Sequence, residues 1–191
     1  NKTYNGDATA TTTLSFSGLV GSETLGQSVS STFNNKNVGT GKTVTVNSIT
    51  LSDGSNGGVA SNYSISTGQT TTANITAKAL TVSGITASNK TYDGNTVVTL
   101  DLTGTSYTGL VSGDDVSISA SGSFDNKNVG TGKTVNISSS YSGTDVGNYS
   151  ITDQATTTAN ITASVSGITV RGITASNKTY DGNNSATLDT S

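Results

Sequence analysis

The sequence predicts an all-β chain: tandem small β-sandwich-like (immunoglobulin-like) domains in an elongated array, with a β-grasp-like repeat as the alternative. Three observations carry this reading. Apolar residues stand singly between Thr and Ser, as on a half-buried pleated strand. No window holds a sustained apolar period of a helix. A set of landmarks also returns at intervals near 88 residues, the size of one small β-sandwich and far longer than a solenoid coil or a propeller blade.

The strands follow in chain order. TVTVNS places Val44 and Val46 on one face, and YSI adds Tyr63 and Ile65. ALTVSG gives Leu80 and Val82, TLDL gives Leu100 and Leu102, and VSISAS gives Val116, Ile118 and Ala120 with serines opposite. A second YSI supplies Tyr149 and Ile151, and GITVRG supplies Ile168 and Val170. DG, NG, GG and SGDD turn signals separate these runs. GLVSGDD, from Gly109, reads as one helical turn.

Composition excludes several chemistries. Of 191 residues 30% are hydrophobic and 11% charged, with no His, Cys, Met, Trp or Pro. The commonest general base and the thiolate nucleophile are therefore missing, as are disulfides and zinc–thiolate sites. A net charge of −3 opposes nucleic-acid binding, which uses basic stripes to displace counterions. Nothing resembles a membrane span or a signal peptide.

The repeat defines the organisation. NKTYNGDATATTTL at Asn1, NKTYDGNTVVTL at Asn89 and NKTYDGNNSATL at Asn177 are spaced by 88. FNNKNVGTGKTV at Phe33 returns as FDNKNVGTGKTV at Phe124, NYSI at Asn62 returns at Asn148, and TTTANITA at Thr70 returns at Thr156. The expected units are 1–77, lacking a first strand, 78–163, complete, and 164–191, the start of a third. They read as beads on a string, a window of a longer tandem array.

The order NKTYDGN, GLVSGDDVS, F-x-NKNVGTGKTV, GNYSI and TTTANITAKALTV resembles the YDG repeat, over essentially the whole chain. Such repeats occur in tandem in very large bacterial surface proteins, many similar to filamentous-haemagglutinin-type adhesins. The resemblance implies an extracellular, cell-surface or secreted structural or adhesive role, without an active site to carry over. The first copy has Asn5 where the others have Asp93 and Asp181, so that acid is not read as catalytic.

NVGTGKTV ends like a phosphate loop, but Lys36 and Lys127 occupy the position of its first glycine and strand formers follow. Lys42 and Lys133 are therefore expected exposed, beside turns that enter strands. Asp114-Asp115 and Asp93-Gly94-Asn95 carry hard oxygen ligands that would suit Ca²⁺, yet Gly-Ser-Glu-Thr replaces Gly-Asp-Asp-Val in the first copy, leaving Glu23. A Lys–Asn isopeptide would need Lys90, Asn160 and an acid buried together, and Lys78 gives way to Ser164. Sequons recur at Asn62, Asn74, Asn89, Asn136, Asn148, Asn160 and Asn177, and Thr runs suggest polar strand faces rather than an ice-binding array.

No catalytic, cofactor-binding or metal-binding residue is assigned, no cofactor is expected, and the chain is not read as an enzyme. The function expected is a stalk, spacer or fibre-forming region of a giant surface adhesin, supporting adhesion or biofilm formation. A glycan-binding module, for which Tyr107 and Tyr141 are the only hint, is the alternative. Partners expected are neighbouring repeats, with head-to-tail self-association into fibres, and host or matrix glycans; nucleic acid, nucleotide and membrane insertion are not. Tyr92, Tyr4 and Tyr180 should anchor the core or a seam between domains, and Gly94 should take a positive φ. Ile168, Val170 and Ile173 should be ordered only beside a neighbouring unit.

Overall fold

The computed structural model describes residues 1–165 and 167–189; Ser166, Thr190 and Ser191, within the expected third unit, lie outside the described residues. The fold is all-β, with two short 3-10 turns at Ala60–Asn62 and Val146–Asn148. Among the described residues no helix is long and apolar enough to cross a membrane.

The first repeat forms strands β1 (Lys2–Thr3), β2 (Thr9–Ala10), β3 (Leu25–Phe33), β4 (Gly39–Asp53) and β5 (Thr70–Thr76). The second begins with β6 (Lys78–Ser83), β7 (Thr86–Ala87), β8 (Lys90–Thr91), β9 (Val97–Val98), β10 (Leu100–Asp101) and β11 (Ser106–Thr108). It continues through β12 (Ser117–Phe124), β13 (Gly130–Ser142), β14 (Tyr149–Thr152) and β15 (Thr156–Thr162). A last pair, β16 (Thr174–Ala175) and β17 (Leu188–Asp189), closes the described chain.

Each repeat builds the same large sheet. The orders are β1-β5-β4-β3-β2 and β8-β15-β13-β12-β9, with the first pair in each parallel and the rest antiparallel. Register coincides as well: Phe33 faces Val44 as Phe124 faces Val135, and Lys2 pairs with Ile75 as Lys90 pairs with Ile161. The alternation follows the sequence. In β12 the serines are exposed while Ile118, Ala120 and Phe124 turn inward, and Ser117 and Ser119 meet Ser142 and Ser140 across the outer face.

A smaller sheet joins the repeats. One residue after β5 the chain enters β6, which pairs antiparallel with β11 and parallel with β14. Leu80 and Val82 of β6 are buried. Leu80 and Tyr149 share one cluster with Tyr4, Phe33, Val44 and Ile75 of the first large sheet, flanked by Tyr107, Leu110, Val111 and Ile151. The sandwich therefore closes between successive repeats, and its core crosses the expected unit boundary after residue 77. The second large sheet has its own cluster of Val98, Phe124, Val135, Ala159 and Ile161, against which Ala87 and Leu100 pack from the β7–β10 pair.

Three local expectations change. GITVRG, read as a strand, forms none over residues 167–172, where Ile168 and Val170 lie exposed without a partner strand among the described residues to cover them. GLVSGDD makes a hydrogen-bonded turn, Asp114 N–H to Val111 C=O at 3.2 Å, instead of a helical turn. Tyr63 and Ile65 are not in a strand, although Tyr149 and Ile151 are. The reason is a missing neighbour: β14 is held by β6, and residues 63–65 have no such strand beside them.

Candidate interaction site at the repeat junction

The repeated GTGK loop serves the sheet. Gly41 and Gly132 have φ of 61° and 60°, and the register shifts between Gly39 and Lys42, and again between Gly130 and Lys133. These are β-bulges, in which glycine supplies a left-handed residue at little cost. The Gly41 N–H donates to Asn74 Oδ1 (2.8 Å) and the Gly132 N–H to Asn160 Oδ1 (2.7 Å), so neither is turned toward an anion. β4 and β13 then run on as long strands.

Lys42 and Lys133 correct the expectation of exposure. Both are half-buried, and the Lys133 side chain is only 10% exposed. Lys42 donates to Asn35 (2.7 Å); Lys133 donates to Asn126 (2.8 Å) and pairs with Asp125 (2.9 Å). A flexible aliphatic stem lies along the bulge and its ammonium closes the preceding NNKN or DNKN turn. The spacing of the phosphate-loop-like motif carries no sign of this contact, because the acceptors lie in the preceding turn.

The polar groups that converge do so where the repeats meet. Asp114, its side chain 4% exposed, accepts hydrogen bonds from the hydroxyls of Tyr4 (2.8 Å) and Tyr149 (2.5 Å) and from Lys36 Nζ (3.2 Å). Lys36 also pairs with Asp145 at 2.8 Å and lies 5.9 Å above the Tyr4 ring. The two tyrosine rings meet edge to face, with centroids 5.6 Å apart at 76°. The Val38 N–H donates to Asn148 Oδ1 (3.0 Å), and the Val111 N–H donates to the Tyr149 hydroxyl (3.0 Å). Tyr4, Lys36 and Val38 thus come from the first repeat; Asp114, Asp145, Asn148 and Tyr149 come from the second.

The electrostatics are mutually consistent. Burial pulls the Asp114 carboxyl upward, but hydrogen bonds from Tyr149, Tyr4 and Lys36 together outweigh it and hold it below its ordinary value. Lys36 also holds Asp145 low, and Asp145 and the neighbouring acceptors raise Lys36. Burial, then the bond to Asp114, pushes the Tyr149 hydroxyl up to about 12, and the same causes raise Tyr4. The carboxylate stays charged and the phenols stay protonated, so each remains a willing partner. A buried carboxylate accepting three donors is satisfied only when both repeats are in place. Across the seam Tyr4, Lys36 and Val38 of the first repeat donate to Asp114, Asp145 and Asn148 of the second, and Asn148 Nδ2 donates back to Asn37 Oδ1 (3.5 Å).

The remaining candidates fall elsewhere. Asp93 pairs with Lys90 (2.7 Å) and accepts the Asn95 N–H (3.1 Å), stabilising the turn at Gly94, whose φ is 84° as expected. Asp115 accepts the Thr144 N–H (3.0 Å). Among the described residues no group of three or more acidic side chains is placed to hold a metal ion. Lys90 and Asn160 are not joined: Lys90 Nζ turns to Asp93 and Asn95, and Asn160 Oδ1 accepts Gly132. Several sequon asparagines have structural work, since Asn74 and Asn160 hold bulges, Asn89 Oδ1 accepts the Asn160 N–H (2.7 Å) and Asn148 is buried in the junction.

The three YDG tyrosines differ. Tyr4 is 1% exposed in the seam, Tyr92 is 39% exposed and Tyr180 93% exposed. Tyr92 holds the same place in its sheet, its N–H donating to Thr162 C=O at 2.8 Å as the Tyr4 N–H does to Thr76 C=O at 2.8 Å. What it lacks is the small sheet of a following repeat. Of the three tyrosines expected in the core or a seam, only Tyr4 is buried there, and Tyr92 and Tyr180 are exposed; Lys36, Asp145 and Asn148, which complete the seam, carry no sequence signal that marks them for it.

Comparison with known proteins gives one family. The YDG domain matches residues 1–73 and again residues 76–159. No curated protein and no solved structure matches. With two consecutive matches covering most of its length, the chain belongs to the YDG domain family.

Proposed function

We propose that the chain is a structural spacer: a run of YDG repeats that lock to one another and hold a distal part of a large bacterial surface protein away from the cell, or build a fibre. The observation that carries the reading is the shared core at the junction, where Leu80 and Tyr149 of one repeat pack into the Tyr4, Phe33, Val44 and Ile75 face of the previous one. Domains joined only by a linker move independently by default. A joint that buries apolar side chains and a satisfied carboxylate instead transmits orientation from repeat to repeat, as in other linear arrays.

Surface exposure and adhesion belong to this proposal as the setting in which such an array serves. Electron microscopy of a concatemer of complete repeats tests it: straight rods whose length grows in proportion to repeat number are expected, and collapsed or freely bent strings would overturn it. Immunolabelling of intact cells of the source bacterium should decorate the surface, and staining confined to permeabilised cells would contradict the extracellular setting. The glycan-binding alternative rests on Tyr107, which packs at the junction, and Tyr141, which donates to Asp153; specific glycan capture by the complete repeat would favour it over the spacer.

A further inference from the structure

The two ends of the second repeat run side by side. β6 pairs in parallel with β14, from Lys78 beside Tyr149 to Thr81 beside Thr152. β8 pairs in parallel with β15, with Lys90 beside Ile161 and Thr91 beside Thr162. Both pairs keep the offset of 71 residues that separates Asn89 from Asn160, whose N–H the Asn89 side chain accepts at 2.7 Å. Between the two pairs Gln154 ties the same stretches together: its Nε2 donates to the Ile85 C=O (2.7 Å), and its Oε1 accepts the Ile85 N–H (2.9 Å). Ile85 is buried, and the Tyr92 N–H, donating to Thr162 C=O at 2.8 Å, closes the series. Residues 78–92 and 149–162 are thus laced together in one direction across two sheets.

Direction decides how such lacing meets a pull. Tension carried along a tandem array enters this repeat at Ala77, just before β6, and leaves it at Ala163, just after β15. In a parallel pair those two points lie at opposite ends, so the strands are drawn past each other and every hydrogen bond between them is loaded at once. An antiparallel pair drawn apart from its open end loads its bonds one after another, the first bearing nearly all of the force. One hydrogen bond contributes little by itself, and the resistance of a sheared set comes from having to break together. The first repeat is laced alike. Lys2 and Thr3 of β1 lie parallel to Ile75 and Thr76 of β5, Asn1 Oδ1 accepts the Asn74 N–H (2.8 Å), and the Tyr4 N–H donates to Thr76 C=O (2.8 Å).

We propose that the parallel pairs β6–β14 and β8–β15, with Gln154 tied to Ile85 between them, form a mechanical clamp that bears tension along the array in shear. The spacer reading, on which this rests, supplies the source of the tension; the resistance itself belongs to the topology of the repeat. Forced unfolding is governed by the height of the unfolding barrier rather than by equilibrium stability. A chain with only 30% hydrophobic residues can therefore hold under load without a dense core, because the load falls on laced backbone. β6 takes part twice, since its Leu80 also fills the core shared with the first repeat. The strand that joins two repeats is also the strand through which the pull arrives.

Single-molecule force spectroscopy on the full chain tests it. The chain has no cysteine, so introduced pairs define the axis of pull. Ala77→Cys with Ala163→Cys loads the parallel pairs in shear. Ser117→Cys with Ser142→Cys pulls apart the open end of the antiparallel β12–β13 ladder, and all four positions are exposed. The rupture force is expected to be severalfold higher along 77–163 than along 117–142. Both axes strain the same folded repeat, so the contrast reads the direction of loading. Gln154→Ala should lower the force along 77–163 and leave that along 117–142 unchanged, a selectivity that general destabilisation does not produce. Equal forces on the two axes, or a lower force along 77–163, would overturn the proposal. So would a Gln154→Ala chain in which both forces fall alike or neither falls. Weak resistance along 77–163 in concatemers that still form straight rods would remove the clamp and leave the spacer reading standing. Strong resistance in concatemers that bend freely would remove the spacer reading and leave the clamp.

Discussion

Tyr4 and Tyr92 occupy equivalent places in equivalent sheets, and only their cover differs. Tyr4 is 1% exposed with its hydroxyl on Asp114, whereas Tyr92 is 39% exposed. Replacing a fully buried large aromatic with Ala costs about 3–5 kcal/mol, whereas a surface replacement stays within about 0.5 kcal/mol. Tyr4→Ala should therefore lower the urea midpoint strongly, with Tyr92→Ala intermediate and much closer to the unaltered chain; equal losses would show that the seam does not distinguish them. The titrating groups add a pH signature. Asp114 and Asp145 are held below their ordinary values, so their contribution is complete above the unfolded carboxylate value of about 4 and is lost as pH falls through the folded values. Tyr149 is raised to about 12 and Lys36 is raised too. Their contribution is complete below the unfolded values near 10 and is lost as pH rises through the folded ones. Urea midpoints should be level between these limits and fall on both sides, and Asp114→Asn should shrink both falls.

At the scale of strands and turns, much was legible. Val44, Val46, Leu80 and Val82 are buried as their alternation required, and Ile118 and Ala120 turn inward from the serines. Gly94 was legible because a DG turn demands a left-handed residue. The bulge at GTGK was not, since its cause is Asn74 or Asn160 reaching across from the neighbouring strand. Asn160→Ala should cost about 0.5–1.5 kcal/mol, the usual net value of one hydrogen bond. It should also speed exchange of the Gly132 amide while leaving that of Gly41 unchanged, and an unaltered Gly132 amide would contradict the bulge assignment. The strand at Tyr63 and Ile65 failed for a physical reason too: a strand needs a neighbour to satisfy its backbone, and β6 lies beside β14 while residues 63–65 have no such strand beside them. Residues 167–173 should exchange rapidly, since they lie outside any strand and Ile168, Val170 and Ile173 are exposed; strong protection there would contradict the expectation that they are ordered only beside a neighbouring unit.

For the molecule as a whole, the repeat length predicted a sandwich but not which strands would close it. Tyr4 and Asp114 are separated by 110 residues, and identical landmarks in successive copies show a shared packing problem without showing whether it is solved within a copy or between copies. Lys36 was equally opaque, because one lysine in a polar turn looks like any solvated lysine until Asp114 and Asp145 are seen around it. The central claim is that successive repeats are one packed body through this junction. Backbone ¹⁵N relaxation on the dilute, monomeric chain tests it most directly. A single anisotropic tumbling tensor should fit the amides of β3–β5 and β12–β15 together, and Asp114→Ala should separate them into two faster-tumbling sets. Two independent tumbling times in the unaltered chain would contradict the account.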